Sequence, residues 1–173
     1  MELRTEIEPK IEIAEKLYPE ILDQILKYTA FVDNHGDENN SAYKNTENKL
    51  NKLTGKDISK YNLWGYWEEE GAEVLAFRIG LPNPQKINDI TKDEVIEIVR
   101  RIGNFEETQK DWDEMTFKEK FSPYLDSYYH EFLKLNFKTY DYRKIFGQQK
   151  DNNKKAFWWT DEQKAELLWE TNN

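Results

Sequence analysis

The chain has few residues suited to acid–base or metal chemistry, and their spacing limits what they can do. In FVDNHGDEN, Asp33, His35, Asp37 and Glu38 offer oxygen and nitrogen donors in one short run. A calcium loop needs glycine at its sixth position for a sharp turn, whereas the sixth residue counted from Asp33 is Glu38. The only other histidine, His130, is far away in sequence, so this run is expected to be a solvated linker. In DSYYHEFLKL, His130 follows Asp126 by four residues, one helical turn, which would let a carboxylate orient an imidazole for general acid–base work. The adjacent Glu131 points about 100° away on a helix and does not face the histidine.

Other catalytic signatures are missing. The chain shows no serine in a nucleophile elbow, no glycine-rich phosphate cradle and no paired-histidine zinc spacing. It contains no cysteine, which removes thiolate nucleophiles, thiolate metal sites and disulfides. No catalytic residue, metal or cofactor is therefore assigned. An enzyme of unassigned reaction, using His130 with a carboxylate such as Asp126, stands as the second reading.

Binding chemistry is better represented. LWGYWEEEGAEVLAFRIGLPNP places Trp64, Tyr66 and Trp67 beside Glu68, Glu69 and Glu70, and further on Asp111, Asp113 and Glu114 surround Trp112. Rings that exclude water, rimmed by carboxylates, suit a basic protein surface. The ordinary alternative is a solvated turn and a solvated helix start. A third candidate is the segment from Asn136 to Thr160, where Lys138, Arg143, Lys144, Lys150, Lys154 and Lys155 alternate with Phe137, Tyr140, Tyr142, Phe146, Trp158 and Trp159. Cations and stacking rings are the ingredients of single-stranded nucleic-acid binding. Against it stands the charge of the rest of the chain. Residues 1–70 hold 15 acids and 9 bases, residues 71–115 hold 10 and 6, and residues 116–173 hold 9 and 10, giving −9 overall. Such a field repels phosphate backbones and draws basic partners.

The elements that must position these residues are mostly helical. Pro9 suits a first helical turn, and Ile11, Ala14, Leu17, Ile21, Leu22, Ile25 and Leu26 form an apolar stripe that Pro19 is expected to kink or divide. Ser41 can cap a second helix ending at Gly55. Thr91 with Glu94, Thr116 with Glu119 and Thr160 with Gln163 are capping-box patterns, and Ser122-Pro123 reads as a fresh helix start. Residues 62–81 read as a β-hairpin turning at Glu70-Gly71. Its core face carries Trp64, Tyr66, Leu75, Phe77 and Ile79, and its other face Leu63, Trp67 and Val74.

The expectation is a single α+β domain over 1–173, mostly helical, with one antiparallel β-hairpin at about residues 62–81. The helical parts are 1–56 and 91–171, and Phe137–Tyr142 is a candidate third strand. Aromatic residues make up 14% of the chain, enough large rings to build a core at modest total hydrophobicity. The acidic, proline-interrupted stretch MELRTEIEPKIEIAEKL lacks the basic start and apolar run expected of a secretory signal, and no later run reaches membrane-spanning length. A soluble cytoplasmic protein without membrane contact follows as an expectation, with homo-oligomerisation left open.

In general character the chain resembles the inhibitors and the immunity or antitoxin proteins that bacteria use to block a partner. The likeness is one of size, acidity and aromatic content, with no shared motif. It implies an acidic module that binds a basic protein partner, through Trp67, Glu68, Glu69 and Glu70 and through Asp111, Trp112, Asp113 and Glu114.

Overall fold

The computed structural model describes residues 1–104 and 109–170, the last by its backbone. The fold is α+β and mostly helical, and the described residues hold a single two-stranded antiparallel sheet. They divide into two compact units: residues 9–83 with 116–121, and residues 1–8 with 84–115 and 122 onward. Among the described residues, no helix is long and apolar enough to cross a membrane.

The first unit is organised by α1 (Ile11–His35), which buries Ala14, Ile21, Ile25 and Tyr28 along one face. Pro19 neither divides nor ends it. Proline leaves the carbonyl of Glu15 without its helical donor, but both residues are exposed, so water can replace the lost bond. The helix also runs to His35, three residues into the expected linker. In α2 (Ser41–Thr54) the cap differs from expectation. Ser41 is the first helical residue, and the Asp37 carboxylate accepts from the amides of Ala42 (3.0 Å) and Tyr43 (2.8 Å).

Residues 62–81 are helical rather than a hairpin. A turn at 63–65 leads into α3 (Tyr66–Glu69), and α4 (Gly71–Gly80) follows at once. The break falls where the turn was expected, since Gly71 has φ +80°, but it joins two helices. Ala72, Val74, Leu75, Ala76, Phe77, Ile79 and Gly80 are all buried. A segment apolar on every side has no period with which to distinguish a strand from a central helix, and here it is the central helix. At Gly80 an added Cβ would stand 3.2 Å from Ile21 Cδ1 and 3.3 Å from the Ala14 carbonyl oxygen, so glycine permits the close approach of α4 to α1. The far end of α4 is capped by Lys56, whose Nζ donates to the carbonyls of Arg78 and Leu81, both at 2.8 Å. The short α6 (Phe117–Phe121) adds two rings, with Phe121 stacked on Phe77 at 4.5 Å and 6° and Phe117 edge-on to Tyr18.

The second unit centres on α5 (Lys92–Arg101). Its capping box forms as expected: the Thr91 hydroxyl accepts from Glu94 N, and the Glu94 carboxylate accepts from Thr91 N. Burial raises the Glu94 pKa, but the Thr91 amide and the Arg4 guanidinium outweigh that and hold it below the ordinary carboxylate value. Val95, Ile98 and Val99 are buried, with Ile7 and the Tyr128, Tyr129, Phe132 and Leu133 side of α7 (Asp126–Asn136). Burial pulls the Arg101 pKa down. Hydrogen bonds to Tyr129, Glu97 and Glu8 reverse this and keep the guanidinium charged.

Ser122–Tyr124 forms a 3-10 turn, with α7 beginning only at Asp126. The expected third strand at Phe137–Tyr142 is not formed, because its buried Phe137 caps α7 and Asp141 caps α8 (Tyr142–Ile145). The sheet lies instead in the polar run after it. There β1 (Gln149–Lys150) pairs with β2 (Ala156–Phe157), and Asp151 organises the turn by accepting from Asn153 N and Lys155 N. Then α9 (Asp161–Glu170) opens with the expected Thr160–Gln163 box. Residue 171, the expected limit of the helical part, lies outside the described residues.

Candidate binding surface

Trp64 and Trp67 stand side by side at the surface of the first unit. Their ring centroids are 5.9 Å apart at 57°, and the residues are 63% and 55% exposed. The hairpin reading put Trp64 in the core. The turn at 63–65 that carries Trp64 instead leads directly into α3, which carries Trp67, and brings the two rings together at the surface.

The residues around the pair are anchored. Tyr66, between them in sequence, is buried, with its hydroxyl 2.9 Å from Thr29 Oγ1 and its ring edge-on to Trp67 at 5.5 Å. Asn62 Oδ1 accepts from Gly65 N (2.9 Å) while its Nδ2 donates to Glu69 Oε1 (2.9 Å), tying the turn that carries Trp64 to α3. The sequence reading overlooked Asn62, and its only signal is the habit of asparagine to bond backbone two or three residues on.

The three glutamates have different fates. Glu68 and Glu69 are exposed, and among the described residues nothing bonds the Glu68 carboxylate. Glu70 turns away from solvent. Its side chain is 13% exposed and accepts from Arg78 Nη1 at 2.7 Å.

The second acidic–aromatic group belongs to the other unit. Trp112–Glu114 is a 3-10 turn closed by Glu114 N donating to the Asp111 carbonyl, and Asp111, Trp112, Asp113 and Glu114 are all exposed. The Asp111 side chain makes no capping hydrogen bond to this turn.

The candidate acid–base pair changes partner. His130 Nδ1 lies 2.6 Å from Tyr140 Oη, while Asp126 accepts from Ser127 N. Tyr142 and Phe146 meet the imidazole edge-on at 5.1 and 4.9 Å. Burial lowers the His130 pKa against the opposing pull of Asp126, and burial, helped by Tyr142 and Asp141, pushes Tyr140 up to about 12. Both groups are therefore neutral at neutral pH.

In the linker at 33–38, His35 stacks on Phe31 at 4.8 Å and Asp37 is committed to capping α2. Among the described residues, no three histidine or acidic side chains come together as a metal site would require. The basic–aromatic segment is divided: Phe137 is core, while Tyr142 and Trp158 are exposed along with Arg143, Lys144, Lys154 and Lys155. No family model, curated protein or solved structure matches the chain.

Proposed function

We propose that this chain is an acidic protein-binding module that grips a basic protein partner, acting in the cytoplasm in the manner of an inhibitor or immunity-type protein. The observation that carries the reading is the exposed Trp64–Trp67 pair, followed directly in the chain by the exposed Glu68 and Glu69. Two adjacent indoles left in water forgo a large apolar burial that the core elsewhere exploits, and tryptophans supply many of the energetic centres of protein interfaces. The anchoring of Tyr66 and Asn62 fixes the surface before a partner arrives, which lowers the entropy lost on binding. Glu68 and Glu69 select for positive charge and raise the association rate.

The test is affinity capture from the native host with the wild-type chain and a Trp64→Ala/Trp67→Ala variant. A stoichiometric basic protein retained by the first and lost by the second supports the reading. Retention by both, or no basic partner, overturns it.

A further inference from the structure

Arg78 shows how this chain holds a guanidinium. Its Nη1 donates to the Glu70 carboxylate at 2.7 Å, and its guanidinium carbon stands 6.0 Å from the centroid of the Tyr61 ring. A ring face and a carboxylate thus share one arginine, the first through its quadrupole and the second through a charge-assisted hydrogen bond.

A few residues away, the same ingredients recur at the surface with richer rings. Trp64 and Trp67 offer two indole faces, the best of the aromatic side chains for a cation. Glu68 is exposed and unbonded among the described residues. Glu69 is steadied by Asn62 through Oε1. We propose that Trp64, Trp67, Glu68 and Glu69 form a receptor for an arginine side chain presented by the protein partner. The inference rests on the binding role argued above and specifies its chemistry.

Arginine fits better than lysine for two physical reasons. The guanidinium is planar and weakly hydrated, so it stacks on an indole with little loss of solvation, while an ammonium must shed a tighter shell. Its donors form a fork that can meet a carboxylate while the plane stays on a ring. A nucleic-acid strand would bring phosphates against Glu68 and Glu69, and those charges repel it.

The test titrates the full chain by calorimetry, at physiological salt, with an oligo-arginine and an oligo-lysine peptide of equal length. The arginine peptide is expected to bind about fivefold tighter. Trp64→Ala and Trp67→Ala should each remove most of that preference, and Glu68→Gln should weaken the arginine peptide about two- to fivefold. Urea unfolding of each variant confirms that it is folded, and Trp67→Tyr, which keeps a ring, should restore part of the preference.

Equal affinity for the two peptides, or a preference that survives both tryptophan variants, overturns the arginine receptor. So does self-association of the chain that Trp67→Ala abolishes, since a second copy would then be the occupant. A basic partner captured by the wild-type chain and lost by the double tryptophan variant would still support the binding role in any of these cases, so the two failures are told apart.

Discussion

The Nδ1 of His130 and the hydroxyl of Tyr140 share a hydrogen bond of 2.6 Å inside a ring of aromatic edges. Burial disfavours the imidazolium, and Asp126 only partly offsets that. The folded pKa is thus below the unfolded one, so the unfolded chain binds the extra proton. Stability is present above the unfolded histidine pKa of about 6.5 and is lost as pH falls through the folded value. Urea unfolding of the wild type should show a larger loss between about pH 7.5 and 5.5 than that of His130→Gln, whose other groups titrate alike.

Trp67 and Phe77 should respond oppositely to truncation. Phe77 is fully buried and stacked on Phe121, so Phe77→Ala should cost about 3–5 kcal/mol of folding. Trp67 is more than half exposed, and Trp67→Ala should cost about 1 kcal/mol or less. Denaturant midpoints at a common slope check both, and a large loss at Trp67 would return that ring to the core.

Thr91→Ala should cost about 1 kcal/mol, because it strips the acceptor for Glu94 N from the start of α5. Thr91→Ser keeps the oxygen and should recover most of the loss. Thermal unfolding of the two variants in parallel is sufficient.

Gly80→Val should destabilise by about 1–3 kcal/mol, since the Ala14 backbone already stands within 3.4 Å of where a Cβ would be and cannot move without shifting α1. An unchanged midpoint would show that the two helices separate more easily than their packing implies.

The exposed bases from Arg143 to Lys155 should not make the chain a nucleic-acid binder at physiological salt, given its net charge of −9. Micromolar binding of single-stranded DNA or RNA, weakened by Lys154→Glu and Lys155→Glu, would reverse that ordering.

Local chemistry made part of this structure legible in advance. Thr91 with Glu94, Thr116 with Glu119 and Thr160 with Gln163 all form their reciprocal bonds, because a cap depends on residues three apart and on nothing distant. The stretch at 62–81 was illegible for the converse reason. Val74, Leu75, Ala76 and Phe77 are all buried, so alternation and helical periodicity both vanish, and only the surrounding helices decide the form. A hairpin there places Trp64 in the core and Glu70 at a tip, whereas the helices expose the first and bury the second against Arg78. Tyr140 could not be foreseen as the partner of His130, since the chain between them leaves α7 after Asn136 and turns back through a loop that begins at Phe137, which is buried in the core.

The division of the chain into units has a consequence for the order of events at the ribosome. Residues 9–83, with their α1–α4 helices, form nearly all of one unit from a continuous stretch, and can begin to pack as soon as α4 has emerged. The segment 1–8 cannot. Arg4 waits for Asp89 and Glu94, and Ile7, whose carbonyl accepts from the Tyr128 hydroxyl, waits more than a hundred residues for its partner. Residues 1–8 are therefore synthesised before 9–83 yet find their place after them, and Leu3 and Ile7, buried in the finished unit, spend that interval as exposed apolar groups that a chaperone can hold.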